Sequence, residues 1–492
     1  MNPQVASSWD GARRERFMVV ALAVALVLLR SVVPTVYEGF YFDSDQAIVG
    51  LMAKHLSSFQ RFPLFYYGLN YILGVEAWII APFFWIFRPS VAVMRLPLVA
   101  LNALVAVWLV TELGRRLGLR PAVAFVAALP FIMPTPVVSS QLLETAGACV
   151  EPFVYVLLLW RLRHQPLTFG ALLALGYLHR EFTIFAVPAL VLVEAASGEL
   201  WSWVNIRRAA RMAVGFGIVW LIVDDLKLHL SGAPLGLQAA SLAGQMCLNP
   251  HEWTGRAVSV FTQALPVLFG GTFTRLQDFR MNTPATAGYA VVGWMVAASI
   301  AGMAARLLAS WVRERRIDKG DGLAVYLALI GVFAAGAYPL SCNVIPGQPP
   351  LLRYLLFGLL LPIGCFAVFL RRERSRALRT ALAGVFVLWA AVNLFDNVRL
   401  IRASVIEPPS NEHRVLADYL VSHQIRYGRA IYWDAYAVDF LSRERVIVAS
   451  VDLIRIPEYQ QRVDEHAVSA VNLARLPCDG GDKVASWCVQ PP

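Results

Sequence analysis

Charged residues are scarce in this chain. Only 15% of its 492 residues are Asp, Glu, Lys or Arg, whereas soluble globular proteins have about 25%. Hydrophobic residues make up 58%, and the mean hydropathy is +0.57. This balance excludes an ordinary soluble enzyme and predicts an α-helical polytopic membrane protein.

The chain also lacks the motifs that usually indicate a cofactor. No CxxC or HExxH spacing is present for a metal, and the C-terminal segment has no glycine pattern for a nucleotide. We therefore predict no metal ligands and no firm cofactor, and we leave a divalent cation open. Cys478 and Cys488 lie close enough in sequence for a disulfide in an oxidising compartment. The sequence does not show whether the loops of Cys247 and Cys342 meet.

Apolar runs recur at lengths that suit membrane-spanning helices. A helix needs about 20 apolar residues to cross the hydrocarbon core, and by this criterion we expect about eleven spans. The runs lie at 17–36, 95–114, 121–138, 147–160, 167–182, 183–197, 212–226, 285–308, 322–340, 351–370 and 380–397. Only His179-Arg180-Glu181 divides the fifth run from the sixth.

Basic residues set the orientation, because they collect in cytoplasmic loops. Each cluster of arginines falls on the same side as the N-terminus, which we place in the cytoplasm at a plasma (inner) membrane. An odd number of spans then divides the chain into a membrane domain, 1–402, and an outer domain, 403–492. The net charge of +10 follows from this topology, so we predict membrane lipids, and no nucleic acid, as partners.

The outer domain has the pattern of a small α/β module. An amphipathic helix begins near Asn411, and two apolar segments, 430–433 and 446–449, are predicted strands. Trp433 can stack on a sugar or pack in a core, and the sequence leaves both roles open. We refer to residues 403–492 as the C-terminal module.

The first outer loop, 37–94, has two amphipathic stretches, 43–59 and 71–87, which are typical of helices at a membrane interface. Asp43 fits the N-cap of the first helix, and Asp45 falls in its first turn, where the helix dipole stabilises negative charge. Both aspartates can therefore be explained as capping groups. A second interpretation is that one of them performs chemistry.

A carboxylate at a membrane surface suits glycosyl transfer from a lipid-linked sugar phosphate. The phosphate is already a good leaving group, so the donor needs no general acid. The reaction needs a base to take the proton of the acceptor hydroxyl and cations to hold the departing phosphate. One aspartate and a few Arg, Lys or His side chains meet that requirement.

A series of motifs extends this interpretation. In chain order they are Asp45-Gln46-Ala47 followed by Lys54, then 62–68, Asn70-Tyr71, 74–77, Arg95-Leu96-Pro97 and Arg353-Tyr354. Their order resembles the C-superfamily of integral membrane glycosyltransferases, which includes the protein O-mannosyltransferases and the lipid A aminoarabinose transferase. The resemblance covers most of residues 10–400, and some relatives also carry an outer α/β domain after their last span.

The resemblance implies a glycosyltransferase that moves a hexosyl or pentosyl group, with inversion, from a polyprenyl-phosphate donor to a glycan, lipid or protein acceptor at the outer face. It implies that Asp45 is the catalytic base, with Asp43 as its partner or as the helix cap. Gln46 departs from the pattern, because the family usually has Glu at this position. If that Glu binds a metal or the acceptor in relatives, this chain does without it.

The first outer loop supplies four candidates for substrate binding, which are Lys54, His55, Tyr67 and Glu76. Lys54 lies about 180° from Asp45 on an ideal helix, so it contacts phosphate or headgroups, or simply snorkels. His55 lies nearer the face of Asp45 and is a second candidate for phosphate. Glu76 lies on an apolar helix, where it either pairs with Arg95 or binds a sugar hydroxyl.

Later outer segments supply the remaining candidates, which are Glu151, His179, Arg180, Arg353 and Tyr354. Glu144 and Glu151 flank the start of a span, and Glu151 is the nearer match to an acidic residue that relatives often have there. His179 and Arg180 bind phosphate or sugar, or form a structural ion pair. Arg353 follows a proline-rich segment and either binds the donor phosphate in bidentate fashion or anchors a helix end.

Two other classes of function stay open on the sequence. A polyprenyl-linked glycan flippase or transporter would also use about eleven spans and buried charges, although the internal repeats typical of transporters are not evident. A membrane-anchored receptor would leave the outer-loop residues unexplained. The clustering of polar residues on one face favours the glycosyltransferase.

Overall fold

The computed structural model describes residues 3–69, 71–147, 149–198, 203–231, 246–247, 249–270, 287–314, 317–348, 350–478 and 480–491. Its α-helices are α1 (Pro3–Val36), α2 (Ser44–Ser57), α3 (Val75–Ile86), α4 (Val91–Leu117), α5 (Pro121–Ile132), α6 (Pro136–Gln141), α7 (Glu151–Leu162), α8 (Pro166–His179), α9 (Ala186–Ala196), α10 (Trp203–Ser231), α11 (Pro250–Ser259), α12 (Leu265–Phe269), α13 (Ala287–Glu314), α14 (Gly322–Ala337), α15 (Leu360–Arg372), α16 (Arg376–Ile406), α17 (Glu412–Ser422), α18 (Tyr432–Leu441) and α19 (Pro457–Glu465). Its strands are β1 (Tyr427–Ala430), β2 (Ile447–Ser450), β3 (Val471–Arg475), β4 (Asp482–Val484) and β5 (Trp487–Gln490).

Long apolar helices confirm that the chain is a mostly helical membrane protein. Five segments of the described residues are long and apolar enough to cross a membrane, namely Arg13–Val36, Val91–Leu117, Val291–Glu314, Lys319–Leu340 and Arg376–Ile406. Helices α3, α5 and α8 are apolar but shorter. The chain does turn at Arg180, because α8 ends there and a short 3₁₀ helix leads into α9. The number of about eleven spans stays a prediction.

Helix α2 begins as the sequence predicts. Asp43 is its N-cap, and the Asp43 carboxylate accepts a hydrogen bond of 3.1 Å from the backbone N–H of Gln46. Most residues of α2 are buried within the protein, and its position at a membrane interface stays a prediction. Helix α18 of the C-terminal module packs on it, and one hydrophobic core contains Ile48 and Leu51 together with Phe440.

The C-terminal module contains a five-stranded sheet in the order β2-β1-β3-β5-β4. Strands β2, β1 and β3 are parallel, and β5 is antiparallel to both β3 and β4. The predicted strand at 446–449 matches β2 closely. The predicted strand at 430–433 is wrong except at Ala430, because Tyr432 begins α18. An apolar run of four residues fits a strand or a buried helix equally well.

Two disulfides join parts of the described chain. Cys478 is bonded to Cys488 inside the C-terminal module, as the sequence permits. Cys247 is bonded to Cys342 across 95 residues of sequence. The second bond shows that the two loops meet, which the sequence left open.

Candidate active site

Asp45 lies where three separate parts of the chain meet. The Tyr432 hydroxyl, from the C-terminal module, donates a 2.5 Å hydrogen bond to Asp45 Oδ1. Arg353 Nη1 lies 3.6 Å from Asp45 Oδ2. The Tyr66 hydroxyl donates to the backbone carbonyl of Asp45. The module and the segment before α15 therefore contact this carboxylate, and the first outer loop contacts the backbone of the same residue.

Two cavities adjoin at Asp45 and Arg353, which line both. The first, here named the acidic cavity, has a volume of about 250 Å³ and is lined by Phe40, Tyr41, Asp43, Asp45, Val137, Ser140, Gln141, Glu144, Pro350, Leu351, Leu352, Arg353 and Trp433. The second, the arginine cavity, has a volume of about 210 Å³ and is lined by Asp45, Tyr66, Leu69, Tyr71, Ile72, Ala146, Gly147, Arg180, Glu181, Asn343, Arg353, Tyr354 and Arg455.

Three carboxyl side chains, those of Asp43, Asp45 and Glu144, line the acidic cavity. Asp43 accepts hydrogen bonds from the Tyr41 hydroxyl, at 2.7 Å, and from the backbone of α2. Glu144 is only 5% exposed and accepts from the Gln141 side chain. Burial, reinforced by the negative charge of Asp43, raises the pKa of Glu144 to about 8. Glu144 is therefore largely protonated at neutral pH.

We expect the substitution Glu144→Gln to change how stability depends on pH. Because the folded chain holds this proton up to about pH 8 and the unfolded chain releases it near its ordinary pKa of 4.5, stability falls as pH rises through that window. Glutamine removes this loss. Thermal unfolding should therefore show a gain in Tm for the variant that is larger at about pH 9 than at about pH 5.

Glu407→Gln is the matched control, since Glu407 is exposed at the end of α16. A gain of Tm that is the same at both pH values, or the same in both variants, would contradict the burial of an ionisable Glu144.

The arginine cavity presents guanidinium groups that have donors to spare. Arg180 is 8% exposed, and Arg353 and Arg455 are half-buried. In each of the three, Nε is buried and makes no hydrogen bond within the described part of the chain. Unsatisfied guanidinium donors are costly in a buried site unless an anion binds there. The cavity therefore has the chemistry of a phosphate site.

Lys54, His55 and Tyr67 line neither cavity. Lys54 is ion-paired to Glu444 of the C-terminal module, and His55 Nε2 lies 2.9 Å from the same carboxylate. His55 Nδ1 is 2.9 Å from the Tyr67 hydroxyl. Burial acts to raise the pKa of Glu444, but hydrogen bonds and charge from His55 and Lys54 outweigh it and hold that pKa far below its usual range. These residues join α2 to the module.

Glu76, Glu151 and His179 are buried and also lie outside the two cavity linings. Glu76 accepts a 2.7 Å hydrogen bond from the backbone of Gly147. Glu151 accepts from the backbone of Val150 at 3.2 Å, and His179 Nδ1 lies 3.1 Å from the Tyr155 hydroxyl. Of the predicted substrate-binding residues, Arg180, Arg353 and Tyr354 line a cavity that Asp45 also lines.

Gln46 is buried, and it stands where the family that the sequence resembles usually has Glu. Its Oε1 accepts a 2.9 Å hydrogen bond from Arg95, which also donates to the backbone carbonyls of Pro34 and Tyr41. The sequence allowed Glu76 to pair with Arg95 or with a sugar hydroxyl, and the side chain to which Arg95 donates here is that of Gln46. Arg95 donates mainly to carbonyl oxygens, while its Nε makes no hydrogen bond within the described residues.

Sequence reasoning missed three contributors to the site. Tyr432 was assigned to a strand, Arg455 was not considered, and Glu144 was ranked below Glu151. Tyr432 and Arg455 lie in the C-terminal module and carry no motif that would connect them to Asp45. Trp433, for which sugar stacking stayed open, is 52% exposed and lines the acidic cavity.

The carboxylates do not fit a metal site. Within the described ranges, no group of three His, Cys, Asp or Glu side chains is placed to hold a metal ion. Asp45 Oδ1 and both oxygens of Asp43 already accept protein hydrogen bonds.

Solved structures share this fold. The oligosaccharyltransferase of Archaeoglobus fulgidus in its apo form has a TM-score of 0.51 and 12% identity over 94% of this chain and 69% of that chain. The same archaeal enzyme, AglB, in complex with an inhibitory peptide and a dolichol-phosphate has a TM-score of 0.52, 12% identity and the same coverage.

ArnT from Cupriavidus metallidurans bound to undecaprenyl phosphate has 14% identity over 96% of this chain and 97% of that chain, with a TM-score of 0.44. Because that score is low, the fold assignment rests on AglB alone. No protein-family model matches the sequence, and no curated protein matches it. The chain therefore shares its fold with the Archaeoglobus fulgidus oligosaccharyltransferase.

Proposed function

We propose that this protein is a glycosyltransferase that moves a sugar from a polyprenyl-phosphate donor to an acceptor hydroxyl at the outer face of the membrane. One observation carries the proposal. A carboxylate, Asp45, lies at the junction of an arginine-lined cavity and an acidic cavity. A base between a phosphate site and an acceptor site is what the reaction requires.

The donor phosphate binds in the arginine cavity. Arg353 and Arg180 contact its oxygens, and Tyr354, whose ring lies 5.3 Å from the Arg353 guanidinium carbon, holds Arg353 in place. AglB, which shares the fold, was solved with a dolichol-phosphate, and this supports a lipid phosphate as the donor. The sugar is a hexosyl or pentosyl group.

The acceptor enters through the acidic cavity. Its hydroxyl oxygen attacks the anomeric carbon while Asp45 takes the hydroxyl proton. The bond between the anomeric carbon and the phosphate oxygen breaks, its electron pair leaves with the phosphate, and the anomeric configuration inverts. Trp433, at the edge of this cavity, offers a flat apolar surface to a glycan, lipid or protein acceptor.

We further propose the arrangement of the whole chain. Residues 1–402 form the membrane domain, and residues 403–492 lie on the outer side, with the N-terminus in the cytoplasm of a plasma (inner) membrane. The basic clusters of the cytoplasmic loops support this orientation. The packing of α18 on α2 makes the C-terminal module a wall of the site.

Reconstitution into liposomes tests the function. Wild-type protein with a labelled polyprenyl-phosphate sugar should release polyprenyl phosphate and a glycosylated acceptor, with and without a chelator. Screening several lipid-linked sugars and several acceptors in the same liposome assay identifies the donor and the acceptor. Movement of the intact lipid-linked sugar between leaflets, without cleavage of the sugar–phosphate bond, would contradict the proposal and favour the flippase.

A further inference from the structure

We propose that Arg455 of the C-terminal module binds the donor phosphate together with Arg180 and Arg353. This inference rests on the proposed function and makes the module part of the donor site. Arg455 is the residue of the described module that lines the arginine cavity. Its guanidinium therefore shares a cavity with two arginines from the membrane domain.

Several contacts hold Arg455 at this cavity. Its backbone N–H donates a 2.6 Å hydrogen bond to the Tyr436 hydroxyl, and its Nη1 donates to the carbonyl of Gly68 at 3.1 Å. The guanidinium carbon lies 5.5 Å from the centroid of Tyr432. Its Nε is buried and makes no hydrogen bond within the described residues. These contacts fix the residue at the wall of the arginine cavity.

Gly68 allows this close approach. It has a positive φ of 68°, and a Cβ at this position would lie 2.6 Å from Arg455 Cδ. Both the backbone conformation and the space therefore require glycine. Gly68, at the end of the motif at 62–68, therefore makes room for an arginine of the module.

The charges of the arginine cavity show why a third arginine is needed. Arg180 and Arg353 are balanced by the two carboxylates of the lining, Asp45 and Glu181. With Arg455 included, the lining of the cavity carries one net positive charge. This charge matches the single negative charge of a sugar–phosphate diester. When Asp45 takes the acceptor proton, the lining gains a second net positive charge, while the departing phosphate monoester approaches two negative charges. Arg455 keeps the site matched in both states.

A binding experiment on the full chain tests this role. The probes are a polyprenyl monophosphate and the corresponding neutral polyprenol, and the variants are Arg455→Gln, Arg455→Lys and the control Arg426→Gln. Arg426 is exposed on the module and lines a different groove. We expect Arg455→Gln to weaken binding of the phosphate by about tenfold or more and to leave binding of the polyprenol unchanged. Arg426→Gln should bind both probes like wild type.

Arg455→Lys keeps the charge but loses the fork of donors, so we expect roughly three- to tenfold weaker phosphate binding. If Arg455→Gln does not fold, as judged by thermal unfolding, the lysine variant decides the question. Phosphate binding equal to wild type in a folded variant would overturn the inference. An equal loss for phosphate and polyprenol would also overturn it, because it would show that Arg455 only docks the module.

The failures of the two proposals are distinguishable. Phosphate binding that depends on Arg455, in a wild-type protein that transfers no sugar, would overturn the proposed reaction and support the binding site. Sugar transfer that depends on Asp45 but is unaffected in Arg455→Gln would overturn the inference and support the reaction.

Discussion

Asp45→Asn should reduce sugar transfer by about 10³-fold, because general base catalysis contributes on the order of 10²–10⁴. Asparagine keeps the size of the side chain and can still accept a hydrogen bond from Tyr432, but it cannot take the acceptor proton. The loss should appear in kcat, with donor binding weakened much less. Initial rates in liposomes, together with equilibrium binding of polyprenyl phosphate, measure the two effects separately.

Asp43→Asn is the matched comparison, since it removes the same charge two residues away. Asparagine is as good an N-cap as aspartate, so α2 should stay capped in this variant. We expect transfer to fall by less than about tenfold, through the changed field at Asp45 and Glu144. If the Asp43 variant loses more activity than the Asp45 variant, the assignment of the base is reversed. If neither variant loses activity, neither aspartate is the base.

Arg353→Gln should produce the second large effect, because Arg353 lines both cavities and lies 3.6 Å from Asp45. The variant loses charge-assisted hydrogen bonds to the phosphate in the ground state and more of them as the phosphate departs. A loss of about 10²-fold in kcat/KM is expected from interactions of this class. Both a raised KM for the donor and a lowered kcat should contribute.

Arg353→Lys and Arg402→Gln complete this experiment. Lysine restores the charge without the bidentate geometry, so it should recover part of the lost activity. Arg402 is exposed on α16 and lines neither cavity, so its substitution should leave kcat/KM at the wild-type value. Activity of Arg353→Gln equal to that of Arg402→Gln would show that Arg353 merely anchors a helix end.

Local patterns predicted much of the scaffold. The N-cap at Asp43, the start of α2 and the break at Arg180 depend on residues within a turn of each other, so the sequence is sufficient to predict them. The helical spacing also placed Lys54 away from Asp45 correctly. Its partner was not predictable, because Glu444 lies 390 residues later in the chain.

The strand predicted at 430–433 shows the limit of local patterns. Four apolar residues in a row are compatible with a strand or with a buried helix. The helix is adopted because α18 packs its buried face, including Ala435 and Phe440, against α2. That choice also places Tyr432 beside Asp45, so an error in one short element concealed a residue of the site.

Composition and local patterns were enough to predict a membrane protein and the start of α2 with Asp45 in its first turn, and motif order made Arg353 a candidate for phosphate binding. These features follow from composition, capping and motif order. The tertiary structure was needed to show that Asp45 lines two cavities, and that Tyr432 and Arg455 complete the surroundings of Asp45. The reason is physical: these contacts arise from packing between segments hundreds of residues apart, and no local pattern encodes them.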